Sequence, residues 1–140
     1  MRIIIADDDE IVRAFVQRVI EHGSNDAIAA EDGREALELI KVQDPDLLIT
    51  DLKMPDMDGF QLIEALRALP AHAAIPIICL TSVSDREDVA RLIEMKISDY
   101  VLKPVRPFDL AERIRTVSLR TAGWKLKRRE TPVRARKAIR

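Results

Sequence analysis

Cysteine, histidine and glycine are scarce in this chain, and each shortage removes a class of function. A single cysteine, Cys79, rules out an internal disulfide, and its place in the apolar run Ile77-Ile78-Cys79-Leu80 marks it as a buried core thiol. The two histidines, His22 and His72, have no cysteine, histidine or acidic partner at ligand spacing. A zinc site is therefore not expected, and both read as surface residues. With four glycines there is no Gly-x-Gly-x-x-Gly run and no P-loop, so nucleotide binding has no support. The longest apolar runs are about half a dozen residues, far below the roughly 20 that a membrane-spanning helix needs. The N-terminus lacks a signal peptide's apolar region. These absences lead us to expect a soluble, cytoplasmic protein without membrane contact.

What is present is one domain's worth of chain: 140 residues, 47% of them hydrophobic. A net charge of −1 conceals an asymmetry. Residues 1–120 hold 15 Lys and Arg against 23 Asp and Glu, whereas residues 121–140 hold 8 against 1. We expect a folded unit over 1–120, followed by a basic tail or linker over 121–140.

Hydrophobic periodicity divides the first 120 residues into five short apolar runs alternating with five helical patterns. The runs are Ile3–Ala6, Ala27–Ala30, the stretch ending at Asp51, Ile75–Leu80 and Tyr100–Leu102. Between them, Asp9, Asp32 and Asp85 stand where helix caps are expected. Met57-Asp58-Gly59 leads into a third helix that Pro70 should terminate, and Pro107 suits the first turn of a fifth. The helical faces are predicted to bury, among others, Ile11, Val16, Ile20, Leu62, Leu66, Leu92, Ile93, Phe108, Leu110 and Ile114. Apolar strands alternating with helices predict a doubly wound parallel sheet with both faces covered, in the order 2-1-3-4-5.

Parallel strands place their carboxyl ends at one edge, where open α/β sheets bind ligands. That brings together Asp7 and Asp8 after strand 1, Asp51 after strand 3, Thr81 after strand 4 and Lys103 after strand 5. Three carboxylates in one place repel unless a cation neutralises them. A hard divalent ion with oxygen ligands meets that need, and Mg²⁺, which takes one or two carboxylates and shares its other positions with water and phosphoryl oxygens, fits best. The competing reading makes Lys103 a purely structural ion pair.

Asp7-Asp8, Asp51 with Met54-Pro55 and Asp58-Gly59, Thr81, Tyr100 and Lys103-Pro104 fall in order at the right strand ends. Over roughly residues 1–120 the chain resembles the receiver domains of two-component response regulators, a flavodoxin-like (βα)5 family. The resemblance implies that Asp51 accepts a phosphoryl group from a phosphohistidine of a sensor histidine kinase or phosphotransfer protein. It implies that Asp7, Asp8, Asp51 and the Lys53 backbone carbonyl hold Mg²⁺, and that Lys103 and Thr81 contact the phosphoryl oxygens. A cis Lys103-Pro104 peptide follows from it too. Thr81 and Tyr100 would be the switch residues, altering a surface of helix 4, strand 5 and helix 5 that is also a candidate homodimer contact. Such a domain is a signalling switch and not an enzyme, and slow self-dephosphorylation is expected here because Val83 offers a water no hydrogen bond and Lys53 can pair with the phosphoryl oxygens.

Four residues depart from the family pattern. Lys96-Ile97 stands where receivers carry a small Gly-Ala pair, while Lys53 and Val83 flank the path by which water reaches the acyl phosphate. A phosphatase of the haloacid dehalogenase type is a competing use of an aspartyl nucleophile. It needs a general acid two residues after Asp51, and Lys53 cannot serve. A DNA-binding regulator with output through the tail, or through a further domain, is the other alternative. The tail alone, interrupted by Pro132, is too short for a helix-turn-helix, so nucleic-acid binding by this chain is not expected.

Overall fold

The structure, a computed structural model, describes residues 1–82 and 86–127. Val83, the expected cap Asp85 and the tail from Arg128 onward lie outside the described residues. Five strands, β1 (Arg2–Ala6), β2 (Asp26–Ala30), β3 (Leu47–Asp51), β4 (Ile77–Thr81) and β5 (Asp99–Leu102), form one parallel sheet in the order β2-β1-β3-β4-β5. The helices α1 (Glu10–His22), α2 (Gly33–Gln43), α3 (Gly59–Arg67), α4 (Arg86–Glu94) and α5 (Pro107–Arg120) alternate with them. This is the doubly wound arrangement expected.

Successive side chains of a strand point to opposite faces, which explains why the central strands are apolar throughout. Ile4, Leu48, Ile77 and Cys79 face one layer with Ala36 and Ile40 of α2, Leu62, Ile63 and Leu66 of α3 and Leu92 of α4. Ile3, Ile5, Ile49, Ile78 and Leu80 face the other, against Val16 and Ile20 of α1 and Leu110, Ile114 and Val117 of α5. Burial pushes the Cys79 thiol up to about 12, so it stays protonated as a core side chain.

The caps are local and form as expected. Asp9 accepts from the Ile11 and Val12 amides, and Asp32 accepts from that of Glu35. Asp58 and Gln61 form a reciprocal capping box at the start of α3.

Four expectations need correction. Ile11, Ile93 and Phe108 are 80%, 66% and 74% exposed. Each lies one residue from a helix end, and the core-facing positions of these helices are taken instead by Val16 and Ile20, by Leu92, and by Leu110, Ile114 and Val117. His72 is buried, with Nδ1 4.0 Å from an Asp44 carboxylate oxygen, a neighbour too distant in sequence for ligand spacing to reveal. Helix α3 stops at Arg67, before Pro70. Trp124 is buried and belongs to the core layer under α2, α3 and α4, although the basic run around it reads as a solvated arm.

Candidate functional site

The pairing register carries the strand ends to a common edge. Ala6 is level with Thr50, Asp51 with Leu80, and Thr81 with Leu102. The residues that follow β1 and β5, Asp7 and Lys103, therefore flank Asp51 although they are distant in sequence. Lys103 Nζ donates to Asp7 Oδ2 and to Asp51 Oδ2, both at 3.1 Å. Carboxylate oxygens of Asp7, Asp8 and Asp51 lie within 4.8 Å of one another.

Backbone contacts fix Asp7, Asp51 and Lys103. Asp7 donates its amide to the Ala30 carbonyl, and its Oδ1 accepts from the Asp9 amide at 2.9 Å. Arg13 donates to the Asp7 carbonyl at 2.8 Å. Asp51 Oδ1 accepts from the Leu52 amide at 2.7 Å, which leaves Oδ2 for Lys103. The Lys103 amide donates to the Thr81 carbonyl at 2.8 Å, so the hydroxyl-bearing end of β4 and the lysine are positioned together. The Lys103-Pro104 peptide is cis, as the resemblance implied.

Burial and charge act against each other here. Asp7 is fully buried and Asp51 nearly so, whereas Asp8 is exposed. Burial raises the Asp7 pKa, the Asp51 charge adds to that, and the Asp9 amide and Lys103 offset only part of it. For Lys103 burial works toward a lower pKa, but hydrogen bonds and charge from Asp7 and Asp51 outweigh it and hold the ammonium above its ordinary value. Lys103 is thus a fixed cation shared by two carboxylates. One ammonium against three carboxylates leaves the cluster negative, with hard oxygen donors close enough to share a small divalent ion. The residues fit Mg²⁺ on that donor set.

The other expected positions fall around this centre. Thr81 is buried at the end of β4. Tyr100 is half-buried on β5, level with Cys79, and packs against the core layer. The Lys53 side chain is exposed and lines an open cavity of about 700 Å³ with Asp8, Met54, Phe60 and Arg91. Two further residues support the site, and of these Thr50 was not singled out from sequence. Thr50, buried in β3, donates its hydroxyl to the Asp51 carbonyl at 2.8 Å. A mid-strand threonine carries no local signal of such a role. Gly59 lets the start of α3 approach the end of β3, because a Cβ there would stand 2.3 Å from the Asp51 carbonyl oxygen. The Asp58-Gly59 pair did mark that turn.

Fold and edge together define a flavodoxin-type α/β domain with a carboxylate and lysine cluster at the carboxyl ends of its strands. The chain belongs to the response regulator receiver domain family, whose model matches residues 3–115. It is 36% identical over 116 residues to the probable transcriptional regulator ycf27 of Porphyridium aerugineum, covering 83% of this chain and 47% of that protein. With the DNA-binding response regulator MtrA of Mycolicibacterium smegmatis the identity is 35% over 114 residues, covering 81% and 49%. The chain thus spans about half the length of these two regulators. Among solved structures, the chemotaxis protein CheY4 of Vibrio cholerae superposes with a TM-score of 0.79 at 27% identity, covering 83% of this chain and 97% of that one. The receiver domain of the Francisella response regulator 1452 gives 0.78 at 30%, covering 86% and 98%.

Proposed function

We propose that this chain is a phosphorylation switch in which Asp51 takes the phosphoryl group of a phosphohistidine presented by a sensor histidine kinase or phosphotransfer protein. The observation that carries this reading is Lys103 bridging Asp7 and Asp51 at 3.1 Å, beside Asp8, at the carboxyl edge of the sheet. An Asp51 oxygen forms the new bond to phosphorus, the phosphorus–nitrogen bond of the donor breaks, and its electron pair stays on the imidazole. Asp7, Asp8, Asp51 and the Lys53 carbonyl would hold Mg²⁺, which when bound spreads the charge of the transferring phosphoryl oxygens. The Lys103 ammonium exchanges its contact with Asp51 for a phosphoryl oxygen, and the Thr81 hydroxyl donates to another.

Drawing Thr81 toward the phosphoryl group frees space beside β5 for the Tyr100 ring and reshapes the surface of α4, β5 and α5. That surface is the proposed output and homodimer contact. It is unusual in carrying Lys96-Ile97, and Lys96 adopts a left-handed backbone with φ 58°. Among the described residues no helix is long and apolar enough to cross a membrane. We place the switch in the cytoplasm. The relatives suggest that it serves as the receiver part of a transcriptional regulator, with DNA contact supplied by a further domain and not by this chain.

The experiment is phosphotransfer from a phosphorylated histidine kinase to the wild type and Asp51→Asn, each with and without Mg²⁺. We expect base-labile phosphate only in the wild type with the metal. Normal labelling of Asp51→Asn would exclude Asp51 as the acceptor.

A further inference from the structure

The end of α5 does not lead into free chain. Thr121 donates from both its amide and its hydroxyl to the Val117 carbonyl, the chain turns through Gly123 at φ +86°, and the Trp124 amide donates to the Thr121 carbonyl. This turn brings Trp124 back under the sheet. Its indole Nε1 donates to the Asp46 carbonyl at 3.2 Å, immediately before β3. Lys125 Nζ donates to the Asp44 carbonyl at 2.6 Å and pairs with Asp46 Oδ1 at 3.0 Å.

Asp46 is itself tied to β1, because it accepts from the Arg2 amide and donates its own amide to the Arg2 carbonyl, both at 2.8 Å. Arg120 adds a hydrogen bond to the Ser98 carbonyl just before β5. The amino ends of β1, β3 and β5 are thereby linked to the last turn of α5 and the segment after it. The Asp51 cluster lies at the opposite end of β3. The start of α5 lies away from these ties, with no side-chain cap from Arg106 and with Phe108 largely exposed.

We infer that Thr121–Lys127 is a strap that locks the C-terminal half of α5 to the amino end of the sheet and keeps that half out of the phosphorylation response. The folded unit accordingly runs to Lys127, with Trp124 and Lys125 held at the pole opposite Asp51. Buried Trp124 supplies apolar anchorage, and Lys125 between Asp44 and Asp46 supplies direction. Movement on phosphorylation then falls to α4, β5 and the start of α5. This last point rests on the proposed role of Asp51.

The test is amide hydrogen exchange on the full chain as wild type, Trp124→Phe, Trp124→Ala and Lys125→Gln, before and after phosphorylation in Mg²⁺. In the unphosphorylated Trp124→Ala and Lys125→Gln proteins, amides over 114–127 should exchange about tenfold faster than in the wild type. Trp124→Phe, which keeps a ring but loses the indole donor, should fall between. Phosphorylation should leave these amides unchanged in the wild type and alter them in Lys125→Gln. Wild-type rates over 114–127 in both Trp124→Ala and Lys125→Gln, or a response of these amides to phosphorylation in the wild type, would overturn the inference. If intact mass shows that no phosphoryl group is taken up, the reading of Asp51 fails, while the unphosphorylated variants still decide whether the strap holds.

Discussion

Asp7 is wholly buried beside a second carboxylate, and the consequence for stability has a definite sign. Burial and the Asp51 charge hold its folded pKa above the ordinary 3.8. The unfolded chain therefore gives up this proton more readily than the folded one. The cost is absent below about pH 3.8, grows as pH rises toward the folded pKa and is complete above it. On the proposed reading Mg²⁺ binds the ionised form and offsets that cost. We predict that Asp7→Asn melts higher than the wild type in chelator at neutral pH, and that its melting temperature does not respond to Mg²⁺. The wild type should gain about 2.7 kcal/mol when the ion reaches a hundredfold its dissociation constant. A variant that melts lower than the wild type in chelator, or that gains as much from Mg²⁺, contradicts this account. The pairing of Asp7 with Asp8 was legible as a motif, but their difference was not. Which of two adjacent carboxylates is buried depends on Ala30, Arg13 and Lys103, and local sequence does not encode those contacts.

At the scale of elements, Arg67 shows how a helix end is held by groups that a periodic pattern does not reveal. At the last residue of α3, its guanidinium donates to the carbonyls of Ala73, Ile75, Met95 and Lys96 at 2.9 to 3.2 Å. It thereby joins α3, the approach to β4 and the turn after α4. Burial lowers its pKa, yet a guanidinium remains charged, and four carbonyl dipoles stand in for a carboxylate. We predict that Arg67→Met costs about 2 to 4 kcal/mol, because apolar volume is kept while part-buried carbonyls lose their donor. Urea denaturation measures this, and a loss below about 0.5 kcal/mol would make the cluster incidental. The element order and the caps at Asp9 and Asp32 were legible because they depend on near neighbours and on alternation of apolar character. Arg67 reads only as a polar residue on an amphipathic helix, since two of its partners lie 28 and 29 positions away. Ile11, Ile93 and Phe108 fit the helical period, but the core-facing stripe of each helix is narrower than its apolar one and leaves them exposed.

For the whole molecule, the site was legible because parallel strands share a direction, so four separate strand ends had to meet once the five runs were recognised. Trp124 was not legible, because its basic neighbours dominate the local composition while its acceptor at Asp46 precedes it by 78 residues. In the proposed switch, the lifetime of the phosphorylated state is set by a water reaching phosphorus in line, on the side opposite the Asp51 oxygen. Lys53 is exposed at the cavity that opens beside Asp8, and its flexible ammonium is free to pair with a phosphoryl dianion and cover that approach. Val83, the other residue expected on this path, lies outside the described residues. We predict slow self-dephosphorylation, with Lys53→Asn speeding decay about tenfold, equivalent to about 1.4 kcal/mol in the barrier. Asparagine removes the shielding charge and offers an amide that orients water, while the metal ligand assigned at this position is a backbone carbonyl that the substitution keeps. Decay of isolated phosphoprotein in saturating Mg²⁺ gives the rate, and a magnesium titration separates it from metal affinity. Equal or slower decay in Lys53→Asn means that the lysine does not guard the phosphoryl group.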